Sequence, residues 1–200
     1  IMPRTTVFGA FDHGVYGAVE RVADHLPEPG VKVRQTLWRI TSKRAILAGD
    51  TRTGVCLMAV EEGLDTGGVY RRVEVDIDPD ETLDELRGRL VTLGSEMLVD
   101  ALRTGLGEPE PQVGEPTYAE KISPDELHLD WSRPAVELHR IVRLGGAWTT
   151  WRGKRLKVHA ASLAEHPGGE PGSLHGAVVA TGDGGLELVD VQPEGKGHVP

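Results

Sequence analysis

The chain has 200 residues, with 22 Lys and Arg against 31 Asp and Glu and a formal net charge of -9. That length supports one large domain or two small ones around a real core, and the acidic balance argues against broad nucleic-acid affinity while allowing a local basic patch. No apolar run approaches the roughly 18 residues of a membrane span, no signal-peptide pattern opens the sequence, and the single cysteine, Cys56, cannot form an internal disulfide. A cytoplasmic globular protein is expected.

In chain order, Ile1 ahead of Met2 reads as a tag remnant or a start that is not native. Thr5 to Gly9 reads as a first strand running into a turn, with Asp12-His13 on the surface behind it. Val15, Val19, Val22 and Leu26 then recur at helical spacing before Pro27, which predicts a helix and a first βα unit. Pro27 to Gly30 predicts a turn, Val31 to Leu37 a short strand, and Trp38 to Ala48 a helix stopped at Gly49. Val55 to Val60 is short and almost wholly apolar, the pattern of a strand buried on both faces. It runs into Glu61 to Gly68, where Asp65 stands between Leu64 and Thr66-Gly67-Gly68. Glycines 63, 67 and 68 permit close approach to the backbone. A carboxylate at the carboxyl end of a buried strand lies where open α/β sheets hold ligands; the plain alternative is an Asx-type turn. Val69 to Ile77 alternates apolar and charged residues, as a strand with one wet face does, and Asp80-Glu81-Thr82 opens a helix from Leu83 to Leu106. Asp78, Asp80, Glu81 and Asp84 read as acids at a helix start, because calcium-loop spacing is missing.

Gly105 to Pro116 is rich in Gly, Pro and Glu and reads as a linker. The expected division is a first α/β domain over 1–107, a linker over 108–116 and a second domain over 117–200. Ser123-Pro124-Asp125-Glu126 reads as a capped helix start, and Pro134 to Val142 as a short helix. From Ala147 onward short strands are separated by glycines (Ala147 to Trp151, Leu156 to Ser162, Gly176 to Thr181, Leu186 to Val191), which predicts a small OB-like β-barrel. Arg152, Lys154, Arg155 and Lys157 form the densest basic cluster, beside Trp148 and Trp151 and following Arg140 and Arg143. On a strand, Arg155 and Lys157 share one face and Lys154 takes the other. Such a cluster suits phosphate contacts or the charged blunting of an edge strand. Trp131 reads as a core anchor, and the histidines lack metal-ligand spacing, so no metal is expected.

Taken together, Ala45 to Met58 and Glu62-Gly-Leu-Asp-Thr-Gly resemble the second half of the formyltransferase domain of the methionyl-tRNA formyltransferase family. The resemblance continues through Thr117 to Ile122, Leu129-Asp-Trp-Ser, Gly146-Ala-Trp-Thr, Arg155-Leu-Lys-Val, Ala180-Thr-Gly-Asp-Gly and Gln192-Pro-Glu-Gly-Lys. The ordered set takes in about three quarters of the chain, and the sugar formyltransferases would not be expected to share its second half. The resemblance implies a Rossmann-like formyltransferase domain followed by an OB-like one. It also implies formyl transfer from 10-formyltetrahydrofolate to initiator methionyl-tRNA, with no metal, no membrane and no protein partner. On that reading Asp65 is catalytic, Gly63, Leu64, Asp65, Thr66 and Gly67 line the formyl-donor site, and Arg140, Arg143, Arg152, Lys154, Arg155 and Lys157 bind the tRNA. The family's Asn-x-His pair has no counterpart: aligning Trp38-Arg39 with the family's Trp-Arg-Gly-like segment puts Pro29 and Val31 at those positions. Phe8 to Leu26 resembles only the first βα unit, so an incomplete first domain is expected. The alternatives are a catalytically degenerate tRNA-binding relative and a small-molecule amine formyltransferase.

Overall fold

The computed structural model describes residues 4–10, 15–21, 42–59, 67–113 and 120–199, and the chain divides into two units, Ile1–Lys121 and Ile122–Pro200. In the first unit four strands, β1 (Arg4–Ala10), β2 (Val15–Arg21), β3 (Arg52–Ala59) and β4 (Val69–Asp76), pair in sequence order, each antiparallel to the next. Residues 42–48 are helical (α1), and α2 spans Leu83–Thr104 and lies across β2 and β3. The unit is α/β, as expected. One element differs: the helix expected over Val15 to Leu26 is a strand over Val15–Arg21. Val15 and Tyr16 favour extended backbone, and hydrogen-bonded partners on both sides, Phe8 and Leu57 opposite Gly17, override a helical spacing carried by four residues. The expected turn at 27–30, the strand at 31–37 and the start of the helix at 38 lie outside the described residues.

Thr53 to Met58 is buried throughout, so β3 presents no wet face. Such a strand requires both backbone edges paired, which β2 and β4 provide, and both faces covered. α2 covers one of them with Leu83, Leu86, Leu90, Met97, Leu98 and Ala101, a 3.6-period stripe. Leu86 and Leu90 are fully buried, each contributing roughly 1.5–3 kcal/mol relative to exposure. Leu102 falls outside this stripe and is 65% exposed. The helix starts with a capping box: Thr82 Oγ1 accepts from Glu85 N, and the Glu85 carboxylate accepts from Thr82 N at 2.8 Å. The Thr82 hydroxyl also donates to the Glu85 carboxylate at 2.6 Å, and this bond, followed by that from Thr82 N, holds the Glu85 carboxyl below its ordinary pKa. Its far end is fastened by Arg71 of β4, whose guanidinium pairs with Asp100 and donates to Thr104 Oγ1 at 2.6 Å and Gly105 O at 2.8 Å. A cation bonded to the last carbonyls also meets the negative end of the helix dipole.

In the second unit a one-turn 3₁₀ helix (Asp125–Leu127) precedes α3 (Ala135–Arg143) and strands β5 (Trp148–Trp151), β6 (Lys154–Ala164), β7 (Leu174–His175), β8 (Val178–Ala180) and β9 (Gly185–Pro193). The strands form one antiparallel sheet in the order β5-β6-β9-β8-β7, and α3 packs on β6 and β9 through Leu138, Ile141 and Val142. Ser123 and Glu126 exchange reciprocal side-chain-to-backbone bonds, the capping pattern read from the sequence, around a helix that stops after one turn.

A Cβ placed on Gly54 would lie 2.5 Å from Val73 O, inside the sheet. Gly54→Ala is expected to lower stability by about 1–3 kcal/mol, and Thr82→Ala, at the cap, by about 1 kcal/mol. Urea unfolding of each variant checks both values.

Candidate functional site

Of the residues expected around the donor site, Gly63, Leu64, Asp65 and Thr66 lie outside the described residues, and Gly67 is within them. Gly67 and Gly68 form one side of the neck from which 60–66 depart. Gly68 O accepts from Ala59 N at 2.8 Å, closing the hairpin between β3 and β4. A Cβ on Gly67 would lie 1.9 Å from Ala59 O, so only glycine fits there. The other side of Gly67–Val69 is held by the segment expected to be a linker. Val69 and Glu110 exchange backbone bonds of 2.7 and 2.9 Å, and Gln112 Nε2 donates to Gly67 O at 2.8 Å. Arg44 of α1 further donates to the carbonyls of Glu120 and Lys121. This strap leaves no mark in the residue pattern, because its bonds run mostly to backbone carbonyls.

The basic cluster is brought together by the β5–β6 hairpin. Trp151 pairs with Lys154 across a two-residue turn, Arg152-Gly153, and both turn residues have positive φ, 50° and 76°. This is the type I′ pattern, which matches the twist of the strands and favours Asn-Gly. Arginine in the left-handed region costs roughly 1 kcal/mol. Along β6, Leu156 and Val158 point into the core while Arg155 and Lys157 are exposed. Opposite them on β5 are Thr150 and Trp148. Arg155 Cζ lies 4.3 Å from the centre of the Trp148 ring, and Arg152 Cζ 4.4 Å from that of Trp151. Both are cation–π distances. Trp148 is also anchored, its Nε1 donating to Pro124 O at 3.0 Å and its ring meeting His128 edge-on. Trp151 remains 47% exposed.

Among the described residues, none of Arg152, Lys154, Arg155 and Lys157 is ion-paired with a carboxylate. Elsewhere arginines are paired: Arg52 with Glu74, Arg71 with Asp100, Arg89 with Glu81 and Arg133 with Glu137. The helical pair expected to extend the patch divides. Arg140 is half-exposed, but Arg143 is only 9% exposed. Arg143 sits four residues after buried His139, on the inward stripe of α3, and does not present a phosphate-contact surface. Trp131 is half-buried, and the acids at the start of α2 make local bonds, Asp80 N to Asp78 Oδ1 and Arg87 to Asp84. His159 stacks on His198, which meets Asp190 Oδ2 at 2.9 Å; among the described residues no group of three or more His, Cys, Asp and Glu gathers as a metal site.

With this geometry in place, two family models match: "Formyl transferase" over residues 40–102, and "Formyl transferase, C-terminal domain" over 121–200. The chain belongs to the formyl transferase family. The first match ends near the close of α2, and the second takes in the whole of the second unit. Methionyl-tRNA formyltransferase of Jannaschia sp. (strain CCS1) is 47% identical over 162 residues, which is 77% of this chain and 53% of that protein. The chain thus spans about half the length of the curated relatives it matches. In fold it is similar to HypX from Aquifex aeolicus, solved in complex with tetrahydrofolic acid (TM-score 0.63, 19% identity, 80% of this chain and 31% of that one). It is also similar to methionyl-tRNA formyltransferase from Clostridium thermocellum (TM-score 0.51, 19% identity, 60% of this chain and 55% of that one). These formyltransferase-fold neighbours bear out the fold class read from the sequence.

Just before α3, Asp130 accepts from Ser132 Oγ at 2.7 Å and Ser132 N at 3.1 Å, and these bonds hold its carboxyl below the ordinary value. A carboxyl with a lowered folded pKa stabilises the fold fully above its unfolded pKa, near 3.9, and loses that contribution as pH falls through the folded value. Ser132→Ala should therefore lower the melting temperature at pH 6 by more than it does at pH 2. Parallel thermal scans at the two pH values test the sign.

Proposed function

We propose that the protein transfers a formyl group from 10-formyltetrahydrofolate to the amino group of initiator methionyl-tRNA. The observation that carries this reading is the 47% identity to a methionyl-tRNA formyltransferase over 162 residues, together with matches to both family models. In this reaction the amine nitrogen attacks the formyl carbon and a tetrahedral intermediate forms. Collapse breaks the bond to N10 of the folate, which leaves with a proton while the amine gives one up. Asp65 stands in the family's Leu-Asp-Thr-Gly turn. Its carboxylate accepts the amine's proton, directly or through water, as a general base. Gly63 to Gly67 lines the donor site, and the Gly67–Ala59 contact fixes one end of that turn. Arg152, Lys154, Arg155 and Lys157, with Arg140 on α3, hold the tRNA by its phosphates, which supply affinity rather than sequence choice. The work is cytoplasmic.

A second reading is a tRNA-binding relative without catalysis. What favours it is that, if Trp38-Arg39 aligns with the family's Trp-Arg-Gly-like segment, the Asn-x-His positions fall near Pro29 and Val31, which carry neither amide nor imidazole. A carboxylate alone supplies a base but no donor for the oxyanion.

Formyl transfer assays on the protein and two variants separate the readings. Asp65→Asn is expected to lower kcat by about 10²–10⁴-fold with tRNA affinity unchanged. Arg155→Ala should weaken tRNA binding and reduce the slope of log affinity against log salt by about 1. No turnover with intact, Arg155-dependent tRNA binding leaves the second reading. Neither turnover nor binding overturns both.

A further inference from the structure

Phosphate contacts alone call for positive charge at a surface. The β5–β6 hairpin holds more than that. Its cations include two arginines lying over indole rings, at 4.3 and 4.4 Å, in a register that places Trp148 opposite Lys157 and Trp151 opposite Lys154. The outer pair is arranged for access. Trp151 is nearly half exposed at the hairpin tip, a site where a large aromatic ring gains little from burial. Arg152 keeps a left-handed backbone in a turn that glycine or asparagine would form without strain, and its side chain lies over the Trp151 ring. Among the described residues none of the four cations is neutralised by a carboxylate, in a chain of net charge -9. Flat ring, guanidinium plane and free charge at one tip form a surface that stacks a base and holds its phosphate.

We infer that the hairpin tip, Trp151 with Arg152 and Lys154, takes up an unpaired nucleotide of RNA by stacking its base on the Trp151–Arg152 pair, with Lys154 on the phosphate. This rests on the nucleic-acid part of the proposed function and adds to it a preference for unpaired over double-stranded RNA. Trp148, tied to Pro124 and His128, sets the hairpin's position and is not the stacking surface.

The test is a tryptophan-fluorescence titration of the full chain with a short oligouridylate, an RNA duplex of equal length and initiator tRNA. The oligouridylate should quench emission and bind about tenfold or more tighter than the duplex, as base–aromatic stacking implies. Trp151→Leu should erase that preference while duplex affinity and melting temperature stay unchanged. Arg152→Gly should weaken oligouridylate binding while raising the melting temperature, a combination that a purely structural role for Arg152 would not give. Equal affinity for both RNAs, indifferent to Trp151→Leu, would overturn the stacking inference and leave a tRNA grip by phosphates alone. Binding of none of the three RNAs, tRNA included, would overturn the inference together with the tRNA reading beneath it.

Discussion

A strand with no wet face governs the first unit. Once Thr53 to Met58 is buried on both sides, its amides and carbonyls can find partners only in neighbouring strands. The flanks must then approach closely, which is why Gly54 sits against the Val73 carbonyl and Gly67 against that of Ala59. A buried apolar face also needs a lid of matching length, and α2 supplies one over 22 residues. Arg71 locks that lid to the sheet at the helix end opposite the capping box.

The second unit handles its polar groups differently. Inward alternation on β6 places Leu156 and Val158 under α3 and turns Arg155 and Lys157 outward. The charges of its β5–β6 hairpin are left available, where Arg52, Arg71 and Arg89 of the first unit are consumed in pairs. Isolated surface pairs add little to stability; the contrast therefore bears on recognition more than on folding. Aromatic faces, not carboxylates, hold the hairpin arginines in place, and a ring can give up a guanidinium to a phosphate without leaving a buried charge behind.

Much of this was legible in the sequence where a pattern repeats often enough. The stripe of α2 runs through six turns, and the four runs expected after Ala147 return as strands close to their expected positions, with the short Leu174–His175 strand added. The cationic cluster stood out by density alone. Its pairing with Trp148 and Trp151 depends on hairpin register, which a basic run does not encode. Four apolar residues at helical spacing misassigned Val15–Arg21, because the pairing of β2 on both edges is a non-local fact. Arg143 looked available beside Arg140, yet a helix that buries a little over half of its circumference takes it inward. The strap from Glu108 to Gln112 read as a linker because Pro, Gly and Glu describe a chain without regular structure, not one without contacts.

Cys56 lies fully buried in the middle of β3, and it is the one thiol in the chain. Reagents can reach it only when the strands around it part, so its alkylation rate becomes a clock for opening of that sheet. The chain thus carries an internal probe of the first unit's opening, without any label having to be introduced.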